Sequence, residues 1–344
     1  MRREQQRRRW GRLALWLLPW LLTAVFAAGM HLAHDEPEPE DPWKLVPMIP
    51  QHELVVRKFD EAMGTSLDYM SSKERRAFEY TNHFAPVPIA RPDDWLSFHP
   101  EPGQSVYAYV ESRPNRPDPP HDQIYILPLG PLPAERGPTV EELAQYGKAF
   151  FNRDVIVLDT RSVESLDVPT RQQGGVRQLD ARAVLDVLRN ELPRDAYCLI
   201  AVTFEDLYPD EKYNYVFGLA RLHQRVGVFS FARYHPAFFG ERFGIDRRLV
   251  VRRALKVMSH EIGHMFGLEH CIYLHCNMNG VNHLAELDRA PMHLCPVCLR
   301  KLHLMLGFSP PRRYGALSEV YEKLGLDSEA DWAVQRQVFL QRGG

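Results

Sequence analysis

The sequence predicts an α/β domain: a mainly parallel β-sheet with an antiparallel edge strand, packed with helices. Three observations predict it. Apolar, β-branched runs of strand length occur at 154–160 and 196–204; amphipathic helical segments alternate with them; and two last runs, 214–220 and 226–234, stand five residues apart. Strands alternating with helices form a parallel layer, and so short a connection joins antiparallel neighbours.

The N-terminus stands apart from that pattern. The first twelve residues carry six Arg and one Glu, a local charge of +5, which leaves −7 on the rest of a chain whose net charge is −2. Residues 13–30 come next, without a formal charge; as a helix they would span about 27 Å, close to the roughly 30 Å hydrocarbon core of a bilayer. Basic residues ahead of an apolar run keep the N-terminus cytoplasmic and export the chain beyond the run. Segment 1–32 is therefore expected to be a signal anchor, or a signal peptide cleaved near Ala27 and Ala28. Either places the folded part of the chain outside the cytoplasm, membrane-anchored in the first case and secreted or periplasmic in the second. A true translation start at an internal Met such as Met48 would instead leave the protein cytoplasmic.

Segment 33–42 is acidic and Pro-rich and reads as a solvated linker. Residues 43–122 form a Pro-rich arm; thirteen prolines between Pro86 and Pro138 favour extended backbone over regular elements. Trp95, Phe98, Tyr107 and Tyr109 are interspersed, so the arm is expected to pack on the main domain, with a short helix near 53–63 or 71–80.

Regular structure begins after Pro138. Thr139 with Glu142 forms a capping box, and Leu143, Tyr146 and Phe150 continue at helical spacing. Asp180 caps a second helix with Ala183, Val184, Val187 and Leu188 on one side. Asp246 caps a third, whose stripe comprises Val250, Ala254, Val257, Met258 and Ile262 and which ends at Gly267, where a left-handed cap is expected.

That third helix carries the chemistry. His260 and His264 lie four residues apart and stack on one face, where two imidazoles can bind one zinc ion at about 2.0–2.1 Å. Glu261 sits roughly 100° round the helix from His260, beside the metal rather than on it. Gly267 lets the chain turn, and His270 swings back as third ligand, leaving a fourth position open for water. Five-residue HExxH patterns occur by chance; the eleven-residue HExxHxxGxxH does so far less often, because each added position is demanded by geometry. The chemistry implied is hydrolysis of a peptide bond by zinc-bound water, with Glu261 taking the proton.

Of the five cysteines, Cys198 reads as a small buried hydrophobe. Cys271, Cys276, Cys295 and Cys298 cluster as Cx4C and CxxC. Four thiolates suit a tetrahedral structural zinc; two disulfides are the other reading, favoured by export. Zinc is preferred, because a CxxC disulfide closes too short a loop to add much stability, and because the cluster begins at the residue after His270. His275, His283, His293 and His303 are the alternative ligands, each expected rather to lie at the surface or behind the ligands proper. The acidic balance and the lack of a basic stripe weigh against nucleic acid.

HEIGHMFGLEHC, the Cx4C that overlaps it, 276-CNM-278 and 295-CPVC-298 together resemble the archaemetzincin family of zinc metallopeptidases, with the likeness extending over residues 123–313. The resemblance implies a metzincin-like (zincin) fold, a twisted mixed sheet with the active-site helix packed on it and 226–234 as the edge strand along which substrate lies. It implies His260, His264 and His270 as catalytic zinc ligands, Glu261 as general base, Met278 as the Met-turn methionine, and Cys271, Cys276, Cys295 and Cys298 as ligands of a second, structural zinc. The organisation expected is thus anchor or signal 1–32, linker 33–42, arm 43–122, catalytic domain 123–313 and a C-terminal helical tail 314–344. The function expected is a zinc metallopeptidase with two zinc ions per chain and peptide or protein substrates, touching the membrane through the N-terminal segment if that stays uncleaved. A catalytically idle, zinc-bearing peptide- or protein-binding protein on the same fold is the alternative.

Overall fold

The computed structural model describes residues 58–342 apart from 65–66, 68–69 and 241–245. The described residues all fall within one compact unit, Pro50–Gly344. A helical stretch at 58–63 and short helices at Ser72–Arg75 and Trp95–Phe98 precede α1, Val106–Glu111. Then come β1 (Gln123–Leu129), α2 (Val140–Phe151), β2 (Val155–Val157), β3 (Thr170–Gln173), β4 (Val176–Asp180) and α3 (Ala181–Asn190). β5 (Ala196–Thr203), β6 (Asp206–Tyr208), β7 (Gly218–Arg221) and β8 (Val226–Ser230) complete the strands. The remaining helices are α4 (Arg247–Met265), α5 (Leu284–Arg289), α6 (Pro296–Leu306), α7 (Pro310–Lys323) and α8 (Asp327–Gln341).

The main sheet has the order β2-β1-β5-β8-β7, with the first four strands parallel and β7 antiparallel to β8. Side chains alternate across it: Ile124, Ile126, Ile200 and Val202 enter the core beneath α2 and α4, whereas Tyr125, Leu127, Leu199 and Ala201 enter a second core shared with α3. Every residue of β5 is buried, which explains why its sequence is continuously apolar rather than alternating. A smaller sheet, β3-β4-β6, leads into α3.

The helix starts fall where the caps predict. Thr139 and Glu142 make the reciprocal capping box of α2, Asp180 accepts from the backbone of Arg182 and Ala183, and Asp246 accepts from that of Arg248.

Two expectations are corrected. The edge strand is β7, not 226–234: β8 pairs with β5 on one side (Leu199 with Val226 through Thr203 with Ser230) and with β7 on the other. Both its edges are taken, and past Ser230 the chain turns into a 3-10 helix at Ala232–Tyr234. The second correction concerns location. The expectation of a membrane-anchored or exported enzyme rests on the apolar run 13–30, which lies outside the described residues together with the 33–42 linker. No helix among the described residues is long and apolar enough to cross a membrane; the folded unit therefore offers that placement no physical support.

Candidate metal centre and active site

Helix α4 stops because Gly267 adopts φ +83°, open to glycine and costly for other residues. A Cβ there would also fall 2.5 Å from Pro114 of the arm. The helix-end carbonyls find partners outside the helix. Tyr197 donates its hydroxyl to Met265 O at 2.8 Å, Tyr109 to Phe266 O at 2.7 Å, and Gln104 its amide to Gly267 O at 3.0 Å. The arm thus satisfies groups that would otherwise be buried unpaired at the point where the chain reverses.

The reversal brings three imidazoles together. Nε2 of His260 and Nε2 of His264 are 3.0 Å apart, and the candidate ligand atoms of His260, His264 and His270 all lie within 4.8 Å of one another. Each Nδ1 is tied from behind: His260 to Asn277 O at 2.8 Å, His264 to Leu268 O at 2.6 Å, and His270 to Oε1 of Glu101 at 2.7 Å. With Nδ1 donating, each Nε2 presents a lone pair to the common centre. Burial pushes His260 well below the ordinary imidazole range and His264 to about 3, the neighbouring rings adding to it, so both are neutral. Tetrahedral zinc places imidazole nitrogens about 3.3 Å apart; this donor set fits such an ion.

Glu261 is buried, 7% exposed, and burial pushes its carboxyl up to about 8. It lies against the edge strand so tightly that a Cβ on Gly218 would sit 2.6 Å from its Oε1. His260, His264, His270 and Glu261 all line one cleft of about 410 Å³, whose other walls include Gly218 of β7, Trp95 of the arm and Leu287 of α5. Beneath it Met278 is fully buried, its sulfur 2.7 Å from where a Cβ on Gly263 would be.

The four clustered cysteines converge separately. Their sulfurs lie within 4.8 Å of one another, that of Cys271 3.6 Å from that of Cys295, and all are free thiols. A disulfide needs about 2.05 Å, whereas zinc with sulfur at about 2.3 Å spaces its thiolates roughly 3.8 Å apart. Cys276 Sγ accepts from the backbone N–H of Met278 and of Cys295, at 3.4 and 3.2 Å. Burial holds the thiols of Cys276 and Cys295 well up, while hydrogen bonds from the other cysteines bring Cys271 down. To ionise together in so buried a place the four would need a cation among them. Cys198 is buried in the sheet, as expected.

The other histidines are occupied elsewhere: His293 stacks on Trp332, His303 packs on Phe308, His275 donates its backbone N–H to Ala85 O, and His283 caps α5. Asp94, His283 and Glu286 form a third group of potential ligands. Arg289 saturates Asp94 together with His283, and the backbone of Trp95 and of Asn282 saturates Glu286. That group clamps the arm to α5. Sequence reading gives no site role to Glu101 or Gly218, and takes Trp95 only as an aromatic by which the arm packs on the domain. Only Gly218 left a sign, a glycine inside a strand-like run.

A histidine triad with a buried glutamate in a cleft beside a sheet edge is the donor set a metallopeptidase would use, and comparisons with known proteins give the class. The profile of Peptidase family M54 matches residues 173–304. Archaemetzincin-2 of Macaca fascicularis is 37% identical over 265 residues, covering 68% of this chain and 73% of that one, and the Homo sapiens protein of the same name is 36% identical over the same length. A solved archaemetzincin from Archaeoglobus fulgidus is 32% identical and covers 52% of this chain and 99% of its own, with a TM-score of 0.42. The chain belongs to the archaemetzincin family, peptidase family M54. It is a zinc metallopeptidase, a hydrolase acting on peptides or proteins. Membership rests on the folded unit and lends nothing to the N-terminal run, so placement in or beyond a membrane is withdrawn.

Proposed function

We propose that this protein hydrolyses peptide bonds with His260, His264 and His270 holding the catalytic zinc, Glu261 as general base, and Cys271, Cys276, Cys295 and Cys298 holding a second, structural zinc. The observation that carries the reading is the common orientation of the three imidazoles. Each is anchored at Nδ1 and turned with Nε2 to the cleft that Glu261 shares. The bound ion supplies Lewis acidity, lowering the pKa of water and polarising the scissile carbonyl. Glu261 takes the proton of the attacking water: burial beside Gly218 raises its affinity for a proton, and the positive charge of a bound ion would oppose that shift and favour the ionised form that can accept one. The free edge of β7 receives the substrate as an added strand, placing the scissile bond over the histidines. Met278 packs under α4 and keeps the ligand-bearing turn level.

The test is digestion of a peptide library by the purified full chain with mapped cleavage sites, beside metal analysis. Two zinc per chain and cleavage abolished by chelator are expected. Glu261→Ala should retain both ions and lose about 10²–10⁴-fold in turnover. Unchanged turnover in that variant rejects Glu261 as base; two zinc ions with no cleavage of any peptide would move the reading to an idle, zinc-bearing binding protein.

A further inference from the structure

Two of the three histidines are oriented by backbone carbonyls close by in the chain, Asn277 and Leu268. His270 is different. Its Nδ1 meets the Glu101 carboxylate, a side chain 169 residues earlier in the Pro-rich arm. Oε1 of Glu101 accepts two N–H groups, from His270 Nδ1 at 2.7 Å and from Trp95 Nε1 at 2.9 Å, while Oε2 is buried without a hydrogen-bond partner. An unpaired buried carboxylate oxygen costs stability, and the two N–H groups at Oε1 are the contacts that hold the carboxylate in place.

Glu101 is also held in place from its far side. The Trp95 ring stands edge-on to His270, centroids 5.1 Å apart, and lies flat enough on Gly280 to exclude a Cβ there. The backbone N–H of Trp95 is clamped by the Glu286 carboxylate at 3.0 and 3.1 Å. The preceding residue, Asp94, is gripped by Arg289 at 2.6 Å. The arm therefore reaches the ligand set as a fixed wall.

We propose that Glu101 is a positioning residue for His270, and that the arm segment Trp95–Glu101 is a built part of the metal centre. The proposal rests on the three histidines being the ligands, as read above. A carboxylate on Nδ1–H fixes the tautomer that leaves Nε2 free, raises the basicity of that nitrogen, and adds a negative charge behind the ligand trio.

The experiment uses the full chain as wild type, Glu101→Gln and Glu101→Asp. Zinc affinity is measured by chelator competition, and cobalt substitution separates the sites, since thiolate-to-metal charge transfer reports only the cysteine cluster. Glu101→Gln is expected to weaken metal binding at the histidines about 10–100-fold, leave the cysteine site unmoved, and leave the unfolding midpoint of the metal-free protein unchanged. Glu101→Asp should recover part of the affinity. Affinity within twofold of wild type in Glu101→Gln overturns the proposal, and so does parallel weakening of both sites with a lowered midpoint, the mark of a merely structural contact. A wild-type chain that takes up no metal at the histidines overturns the functional reading first and this proposal with it. Tight uptake without peptide cleavage defeats the hydrolytic reading and leaves the affinity comparison to decide this one.

Discussion

The backbone N–H of Cys271 donates to the carbonyl of Met278 at 2.7 Å. That single bond joins the loop carrying His270 to the turn beneath the histidines. The turn is held in place by the cysteine cluster, because Met278 N donates in its turn to Cys276 Sγ. Disturbing the thiols should therefore be felt at the imidazoles. Cys295→Ser is expected to lose the second ion, weaken the first, and lower the apparent unfolding midpoint by about 5 °C or more. Zinc content by elemental analysis and a thermal melt check it. A variant that keeps one tightly held zinc at wild-type activity would show that the two centres are independent.

The contact of Glu261 with β7 makes a second prediction. Gly218 has no positive φ to protect, so alanine fits its backbone, but the new Cβ would press on the buried carboxylate at 2.6 Å. Gly218→Ala should fold and keep its zinc. Its kcat should fall on the order of 10²-fold, the usual result of displacing a catalytic group by about 1 Å. Steady-state kinetics beside metal analysis decide it.

The packing of Met278 makes a third. A Cβ on Gly263 would stand 2.7 Å from the Met278 sulfur in a fully buried layer, and overpacking of this kind costs about 1–3 kcal/mol. Gly263→Ala should be destabilised by that amount in denaturant titration. Combined with Met278→Ala, it should cost less than the two single changes taken together, since the clash then disappears. Simple additivity would mean that the two residues do not press on one another.

The clustering of the candidate ligands is legible in the sequence because it is local. HExxH is a statement about one helix face, Gly267 about one backbone angle, and the two cysteine pairs about two short loops. Glu101 and Trp95 are illegible for the opposite reason: no spacing rule links an arm to a ligand 169 residues away. Strand β1 escapes notice because Pro128 sits in it and reads as a break, although Pro128 O still accepts from Arg161 N. The sheet β3-β4-β6 escapes because Thr170–Gln173 is almost wholly polar. The segment 214–234 reads as a hairpin and forms one, but which member is the edge depends on β5, and strand order is not a local property.

Lys256, one turn before His260, gives the last prediction. Its ammonium is buried, donating to Leu287 O at 2.9 Å and Asp288 O at 3.2 Å, and burial pushes its pKa down to about 8. An unfolded lysine titrates at about 10.4. Below pH 8 both states hold the proton, and the folded state bears the full penalty of the buried charge. Between about pH 8 and 10.4 the unfolded chain binds more protons than the folded one, so this group's contribution to stability rises with pH. The total gain is on the order of 3 kcal/mol. Tyrosines and other lysines titrate in the same window, which makes the difference from Lys256→Met the quantity to measure. Denaturant unfolding of both proteins at several pH values from 7 to 10 should show wild type gaining on the variant steadily above pH 8. A constant difference across that range would mean that Lys256 keeps its proton in the folded protein, with the two carbonyls and Asp288 compensating its burial.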